Sequence, residues 1–162
     1  MSTSKYTKVL KSNAGLAALV LRVPVGIILA AHGSQKLFGW FGGYGLEGTG
    51  QWMASIGLEP GFLMALLAGS AEFFGGLALI LGLLTRPAAA VTAFTMLVAI
   101  FSAHISNGLF MSNNGYEYAL ALLAVTVSLT LQGAGSFAVD NLLYKKLTGQ
   151  TRASNSYVAN LA

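Results

Sequence analysis

Residues 61–84 read GFLMALLAGSAEFFGGLALILGLL, an apolar segment whose single charge is the carboxylate of Glu72 near its middle. A helix needs about 20 consecutive apolar residues to cross a hydrocarbon core roughly 30 Å thick. The segment therefore predicts a membrane-spanning helix, and we expect the rest of the chain to be organised around it.

The side chain of Glu72 is expected to point into a helix–helix interface and not at lipid. A carboxylate near the bilayer centre costs about 2.5–3.5 kcal/mol on insertion scales, so it needs a partner or water. Gly69, Gly75 and Gly76 lie three or four residues away, and residues at that spacing share a face of a helix. Because small residues let a second helix backbone approach closely, this face predicts the contact with a neighbouring helix.

The composition is that of an integral membrane protein. Of the 162 residues, 55% are hydrophobic and only 9% are charged, whereas soluble domains contain about 25% charged residues. The net charge of +4 comes from Lys and Arg at the ends of apolar segments, so it is a topology signal and predicts no nucleic-acid partner. The absence of cysteine excludes disulfides, thiolate metal sites and thiol redox chemistry within this sequence.

Three further apolar segments, residues 14–31, 88–104 and 117–131, predict an all-α membrane protein with a four-transmembrane-helix bundle. The first segment is expected to be retained and not cleaved as a signal peptide. It exceeds the about 7–15 apolar residues of a signal sequence and contains Arg22. We assign residues 1–147 to this single domain and predict that the polar residues 148–162 form a disordered tail.

The longest connection, residues 33–60, is rich in glycine and aromatic residues. Aromatic side chains favour the membrane–water interface, so the sequence predicts a loop there, with a short amphipathic helix at residues 49–56. A second short surface helix is predicted at residues 137–147. Lys and Arg are concentrated near the two termini and in the turn at Arg86. The positive-inside rule then places both termini in the cytoplasm and the aromatic loop on the extracytoplasmic side.

Arg22 and Glu72 are the charged residues expected deepest in the bilayer. At about 1.5 Å per residue, Arg22 lies roughly 13 Å and Glu72 roughly 18 Å from the cytoplasmic ends of their antiparallel helices. The difference is about one helical turn, which an arginine side chain can span, so the sequence predicts an ion pair between them. Its role stays open at this point, because a structural contact and a functional pair would use the same residues.

A second group of polar residues is predicted at the outer end of the helices. His32, Gln35 and Lys36 follow the first span at helical spacing, and His104 ends the third. The candidate ligand-binding residues are His32, Gln35, Lys36, Trp40 and His104, and the candidate catalytic residues are His32, Lys36, Glu72, His104 and Glu117. The alternative is that these are interface side chains whose charged ends reach water. No metal site is predicted, because a His-x-x-x-His or similar spacing is absent.

An ordered set of short motifs accompanies these residues. It comprises H-G-S-Q-K-L at residues 32–37, F-G-G at 41–43, the glutamate and glycines of residues 72–76, G-L-L-T-R at 82–86, and G-A-G at 133–135. Over residues 14–143 the chain resembles the DoxX family of small bacterial membrane proteins. The resemblance implies a four-helix bundle in the bacterial inner membrane. It also implies an association with quinone-linked oxidation of thiosulfate, or with oxidoreductase assemblies that handle sulfur or oxidative stress, but it carries no settled set of catalytic residues.

Two functions are consistent with these observations. In the first, the chain is the membrane subunit of a quinone-linked oxidoreductase, in which His32, Lys36 or His104 bonds a quinone oxygen and Glu72 or Glu117 relays protons. No haem, flavin or iron–sulfur motif is present, so no covalently bound cofactor is predicted and the electron donor would be a partner oxidoreductase subunit, a soluble enzyme or a diffusible substrate. In the second, the chain is a non-catalytic scaffold or a small-solute carrier. Whether it is itself an enzyme, and its oligomeric state, stay open.

Overall fold

The computed structural model of this chain describes residues 5–12 and 14–148, and this described part is helical with connecting turns. Seven α-helices follow one another along it: α1 Lys5–Leu10, α2 Gly15–Phe38, α3 Gly45–Ser55, α4 Gly61–Leu81, α5 Thr85–Ala99, α6 Glu117–Gln132 and α7 Val139–Thr148. The predicted all-α fold is confirmed. The predicted tail lies outside the described residues, except for its first residue, Thr148, which ends α7.

Three helical segments are long and apolar enough to cross a membrane. They are Gly15–Phe38, Gly61–Leu81 and Thr85–Asn107, the last consisting of α5 with a π-helical and a 3-10 turn that prolong it. The helix α6 is apolar but has only 16 residues, fewer than the roughly 20 that a perpendicular crossing requires. A multi-pass membrane protein is therefore confirmed, while a fourth crossing by α6 stays a prediction.

The helix α2 is longer than predicted, and it replaces the first part of the loop expected at residues 33–60. It continues through His32 to Phe38 before Gly39 ends it in a left-handed conformation. Gly33 does not break this helix because α4 lies directly against it: a Cβ at Gly33 would overlap the backbone of Phe73. The glycine therefore serves close packing, and residues 33–38 belong to the bundle.

Small residues hold α2 and α4 together as an antiparallel pair. A Cβ at Gly26 would lie 2.7 Å from the carbonyl oxygen of Gly76, and one at Gly76 would lie 2.6 Å from the carbonyl oxygen of Gly26. This reciprocal contact allows the two backbones to approach as closely as small-residue motifs in membranes permit. Leu29 and Leu79 are fully buried in the same core, so the glycine-rich face of α4 is an interface, as predicted.

The helix α3 covers one end of this pair. It extends over Gly45–Ser55 and so begins four residues before the predicted helix at 49–56. Its Gly50 contacts the first turn of α4, where an added Cβ would lie 3.0 Å from the Cα of Phe62. We call this the α3 end of the bundle.

The opposite end, which we call the α7 end, contains α1, the turn between α4 and α5, and α7. The hydroxyl of Ser12 donates to the carbonyl of Gln132 at the end of α6, and the carboxylate of Asp140 accepts from the backbone N–H groups of Leu84 and Thr85. The described segments nearest to the two termini therefore lie at the same end of the bundle. The surface helix predicted at 137–147 is observed as α7.

Candidate functional site

A half-open cavity of about 1010 Å³ lies between α2, α3, α4 and α5, towards the α3 end. Small side chains of two facing helical segments create much of its space: Ala68 and Ala71 on α4, and Ala99, Ser102 and Ala103 at the end of α5 and in the π-helical turn Ile100–His104 that prolongs it. Most of the wall is apolar. Volumes of about 300–1,000 Å³ are typical of small-molecule sites, so this cavity is large enough for an organic ligand.

The ion pair between Lys36 and Glu72 is the most polar feature of this wall. The Nζ of Lys36 lies 2.5 Å from the Oε2 of Glu72, and the two side chains are 23% and 4% exposed. Both residues line the cavity. Burial in a mostly apolar environment strengthens such a pair, because little water screens it.

The predicted ion pair between Arg22 and Glu72 is wrong. Arg22 donates instead to backbone carbonyls, with Nη1 at 2.9 Å from the oxygen of Leu79 and Nε at 3.1 Å from that of Ala134. Further bonds go to the carbonyl oxygens of Ile80, Ser136 and Phe137. These acceptors are carbonyls in the last turn of α4, where a cation is favourable, and in the segment before α7.

The register of the antiparallel pair explains the exchange of partners. Gly26 faces Gly76, so Arg22, one turn earlier, faces the last turn of α4. Glu72 in turn faces the last turns of α2, which contain Lys36. Lys36, which the sequence analysis placed outside the first span, therefore lies on the face of α2 that contacts α4. It is at the same depth as the carboxylate of Glu72.

His32 and Gln35 lie beside the ion pair on α2 and also line the cavity. The imidazole of His32 packs against the ring of Tyr118 on α6, with ring centroids 5.9 Å apart. The side chain of Gln35 donates from Nε2 to the carbonyl of Phe41 at 3.3 Å, which ties α2 to the turn that follows it. The two residues are therefore held by packing and hydrogen bonding from outside the cavity.

His104 lines the cavity from α5, in the π-helical turn Ile100–His104. Its Nδ1 lies 2.9 Å from the carbonyl oxygen of Asn114. A carbonyl oxygen only accepts hydrogen bonds, so Nδ1 carries a proton. Neutral His104 therefore offers Nε2 as a hydrogen-bond acceptor and as a site for a second proton.

Trp40 and Glu117 are not among the described residues that line the cavity. The indole of Trp40 packs against the ring of Phe38 at a centroid distance of 5.0 Å. The Oε1 of Glu117 accepts from the backbone N–H of Met111 at 2.6 Å and so fixes the connection between α5 and α6. The geometry gives both residues structural contacts and brings the other five candidates together: His32, Gln35, Lys36, Glu72 and His104.

Several residues of the cavity wall were missed by reasoning from the sequence. Thr49, Trp52, Thr95, Ser102 and Asn114 all line the cavity. Thr95 and Ser102 are seven residues apart on α5, a spacing that places them on one helix face, so this polar stripe could have been found from the sequence. The contribution of α3 could not, because its packing against α4 depends on tertiary contacts.

A comparison with protein families identifies the family of this chain. The DoxX family profile matches residues 17–105, which include α2, α3, α4 and α5 and hence the whole cavity except the residue contributed by the following loop. The chain belongs to the DoxX family. This confirms the resemblance described above.

Two DoxX-like relatives carry informative names. "Putative oxidoreductase CatD" of Bacillus subtilis (strain 168) is 35% identical over 130 residues, which cover 80% of this chain and 89% of that protein. "Inner membrane protein YqjF" of Escherichia coli (strain K12) is 36% identical over 137 residues, covering 81% of this chain and 95% of that protein.

An uncharacterized protein of Haemophilus influenzae is 34% identical over 133 residues, covering 78% of this chain and 90% of that protein. No solved structure matches the chain significantly.

Proposed function

We propose that this DoxX protein is the membrane subunit of a quinone-linked oxidoreductase, and that it binds a quinone-like ligand in the cavity beside Lys36 and Glu72. The observation that carries the proposal is a largely buried ion pair that lines an otherwise mostly apolar cavity between membrane-spanning helices. Ionisable residues inside membranes are rare and usually mark a functional pathway. The name of CatD supports an oxidoreductase role, and the name of YqjF supports the inner membrane.

The polar groups of the cavity offer both a hydrogen-bond donor and an acceptor to a ring that carries oxygen atoms. The ammonium of Lys36 has three N–H donors, and within the described part of the chain it uses one of them, towards Glu72. It can therefore donate to a carbonyl oxygen of the ligand without leaving its partner. His104 supplies a different group, because its neutral form presents Nε2 as an acceptor for a hydroxyl.

A bound quinone would supply reversible two-electron, two-proton chemistry. The role of this chain in that chemistry would be to hold the ring and to move protons. Nε2 of His104 can hold a proton shared with a ligand hydroxyl, and the charge of Lys36 stabilises negative charge on a ligand oxygen. A partner protein or a diffusible substrate would exchange the electrons, since this sequence contains no cysteine.

Tryptophan fluorescence offers a direct test, because the two tryptophans of the chain differ in position. Trp52 lines the cavity, and Trp40 does not. In the variant Trp40→Phe, a short-chain quinone should quench Trp52 in a saturable way, whereas in Trp52→Phe the remaining Trp40 should show only weak, non-saturable quenching.

The role of Lys36 is tested in the Trp40→Phe background. Lys36→Gln keeps an N–H donor for Glu72 but removes the charge, so quinone affinity should fall by about tenfold, the value of one hydrogen bond to a charged group. Lys145→Gln, an exposed change on α7, is the matched control and should bind as before.

Saturable quenching that is equal in Lys36→Gln and in the control would remove the ion pair from the site. Absence of saturable quenching in the parent protein would overturn the proposal and favour the non-catalytic scaffold, for which the exposed aromatic residues Phe41 and Tyr44 at the α3 end offer a contact surface.

A further inference from the structure

The wall that α5 contributes to the cavity is a continuous stripe along the helix. Val91, Phe94, Thr95, Val98 and Ser102 recur at spacings of three or four residues, so they lie on one face, and all of them line the cavity. From Val91 to Ser102 this face extends about 16 Å along the helix axis. A single aromatic ring does not occupy a wall of this length.

The cavity reaches the lipid-facing surface of the bundle along this stripe. Val91 is 52%, Phe94 66% and Leu67 55% exposed, and all three also line the cavity. Glu72, on the same wall, is only 3% exposed. The cavity is therefore open sideways between α4 and α5, and the ion pair lies at its closed side. We call the opening at Leu67, Val91 and Phe94 the lateral opening.

The lateral opening lies at hydrocarbon depth. A Cβ at Gly75 would lie 2.5 Å from the Cγ2 of Thr92, so Val91 and Phe94 are level with the middle turns of α4. Val91 is also about 9 Å from the first residue of α5. Acyl chains of lipids, and not their headgroups, would fill such an opening in the absence of a ligand.

We infer that the ligand of this cavity carries a long apolar chain, which lies along the α5 stripe and leaves the protein through the lateral opening, while its polar ring lies at Lys36 and Glu72. The inference rests on the proposed function only for the identity of the ring. The chain follows from the geometry: an apolar opening at this depth gives a chain-bearing molecule continuous apolar contact from the bilayer to the ion pair. A water-soluble substrate would gain nothing from it.

Blocking the lateral opening should therefore discriminate between ligands by their chains. Two quinones with the same ring, one without a chain and one with a short isoprenoid chain, are titrated against Val91→Phe in the background Trp40→Phe, where Trp52 is the only tryptophan and its quenching is the readout. The chain-bearing quinone should bind about tenfold more weakly, the loss expected when roughly two methylene groups lose apolar contact. The chainless quinone should bind as before.

Val20→Phe is the matched control. Val20 is 68% exposed on α2 and is not among the described residues of the cavity wall. Each quinone partitions equally into the micelles of both variants, so the ratio of their affinities cancels partitioning. An equal effect of Val91→Phe on both quinones, or none on either, would overturn the inference.

A second measurement keeps the inference testable if no quinone binds. In a background with Trp40→Phe and Trp52→Phe, Val91→Trp provides the only indole of the chain. Phospholipids with brominated acyl chains should quench it as strongly as they quench Val20→Trp in the same background. Strong quenching supports the lateral opening even if the proposed function fails, whereas weak quenching would show that lipid chains do not reach it.

Discussion

Replacing Lys36 by Met should destabilise the bundle, and replacing Glu72 by Leu as well should cost clearly less than the sum of the two single changes. The single change leaves Glu72 as an unpaired carboxylate with a side chain only 4% exposed. Breaking a buried pair in this way costs about 3–5 kcal/mol. Glu72→Leu alone should cost less, about 1–3 kcal/mol, because the side chain of Lys36 is 23% exposed and can reach water. The double variant leaves neither charge unpaired, so we expect a coupling free energy of about 2–3 kcal/mol.

Arg22 provides the matched contrast for this cycle. Arg22→Met removes five hydrogen bonds to backbone carbonyls, and charged hydrogen bonds contribute about 1.5–3 kcal/mol each before compensation. The free energy of unfolding of this variant should therefore fall by several kcal/mol. Its loss should add to that of Glu72→Leu within about 0.5 kcal/mol, because the two residues share no partner.

Reversible unfolding in bicelles, followed by steric trapping, measures the free energy of unfolding of each single and double variant. Additive losses at Lys36 and Glu72 would refute the ion pair. A coupling of Arg22 with Glu72 above about 1 kcal/mol would refute the register of α2 and α4 on which the site depends.

Three further predictions concern packing, the α7 end and topology. Gly76→Ala places a methyl group 2.5 Å from the backbone nitrogen of Ala30 and should cost several kcal/mol in thermal or denaturant unfolding. Gly69→Ala meets side-chain atoms instead, Cδ2 of Leu37 at 2.9 Å and Cβ of Lys36 at 3.2 Å, and should cost less, about 1–3 kcal/mol. Asp140→Asn removes one of two charged acceptors for the N–H groups that begin α5 and should lower the free energy of unfolding by about 1–2 kcal/mol, with Glu47→Gln as an exposed control. A reporter fused after residue 162 should be cytoplasmic, and a periplasmic signal would contradict the four-span topology.

The spans could be predicted from the sequence because the bilayer imposes length and polarity on every crossing. The same reasoning placed the end of the first span too early. Helix continuation through Gly33 depends on the contact with Phe73, and a glycine in isolation reads as a helix breaker. The helical spacing of His32, Gln35 and Lys36 was a local signal for the longer helix, but the packing that accommodates Gly33 is a tertiary contact.

The error at this boundary also produced the wrong partner for Glu72. Ending the helix near residue 31 instead of Phe38 displaces Lys36 by about 10 Å along the axis and removes it from the bilayer, which leaves Arg22 as the nearest cation by elimination. The five carbonyl acceptors of Arg22 could not be anticipated, because they belong to a helix end and to a segment more than 100 residues later in the chain. The two histidines, the lysine and the glutamate of the cavity wall were nevertheless found, since ionisable residues in or beside apolar segments are conspicuous.

The charged residues and histidines of the two polar regions of the bundle differ in how many hydrogen-bond donors and acceptors they still have available. At the α7 end, Arg22 and Asp140 are each directed at several backbone groups, so their charges are used to join helix ends. At the cavity, Lys36 makes one bond to the described part of the chain and His104 keeps one ring nitrogen available. A buried polar group with spare capacity is costly unless a ligand or water completes it. The donors of Lys36 and the free ring nitrogen of His104 are therefore available to a ligand, whereas Arg22 and Asp140 at the α7 end are used to join helix ends.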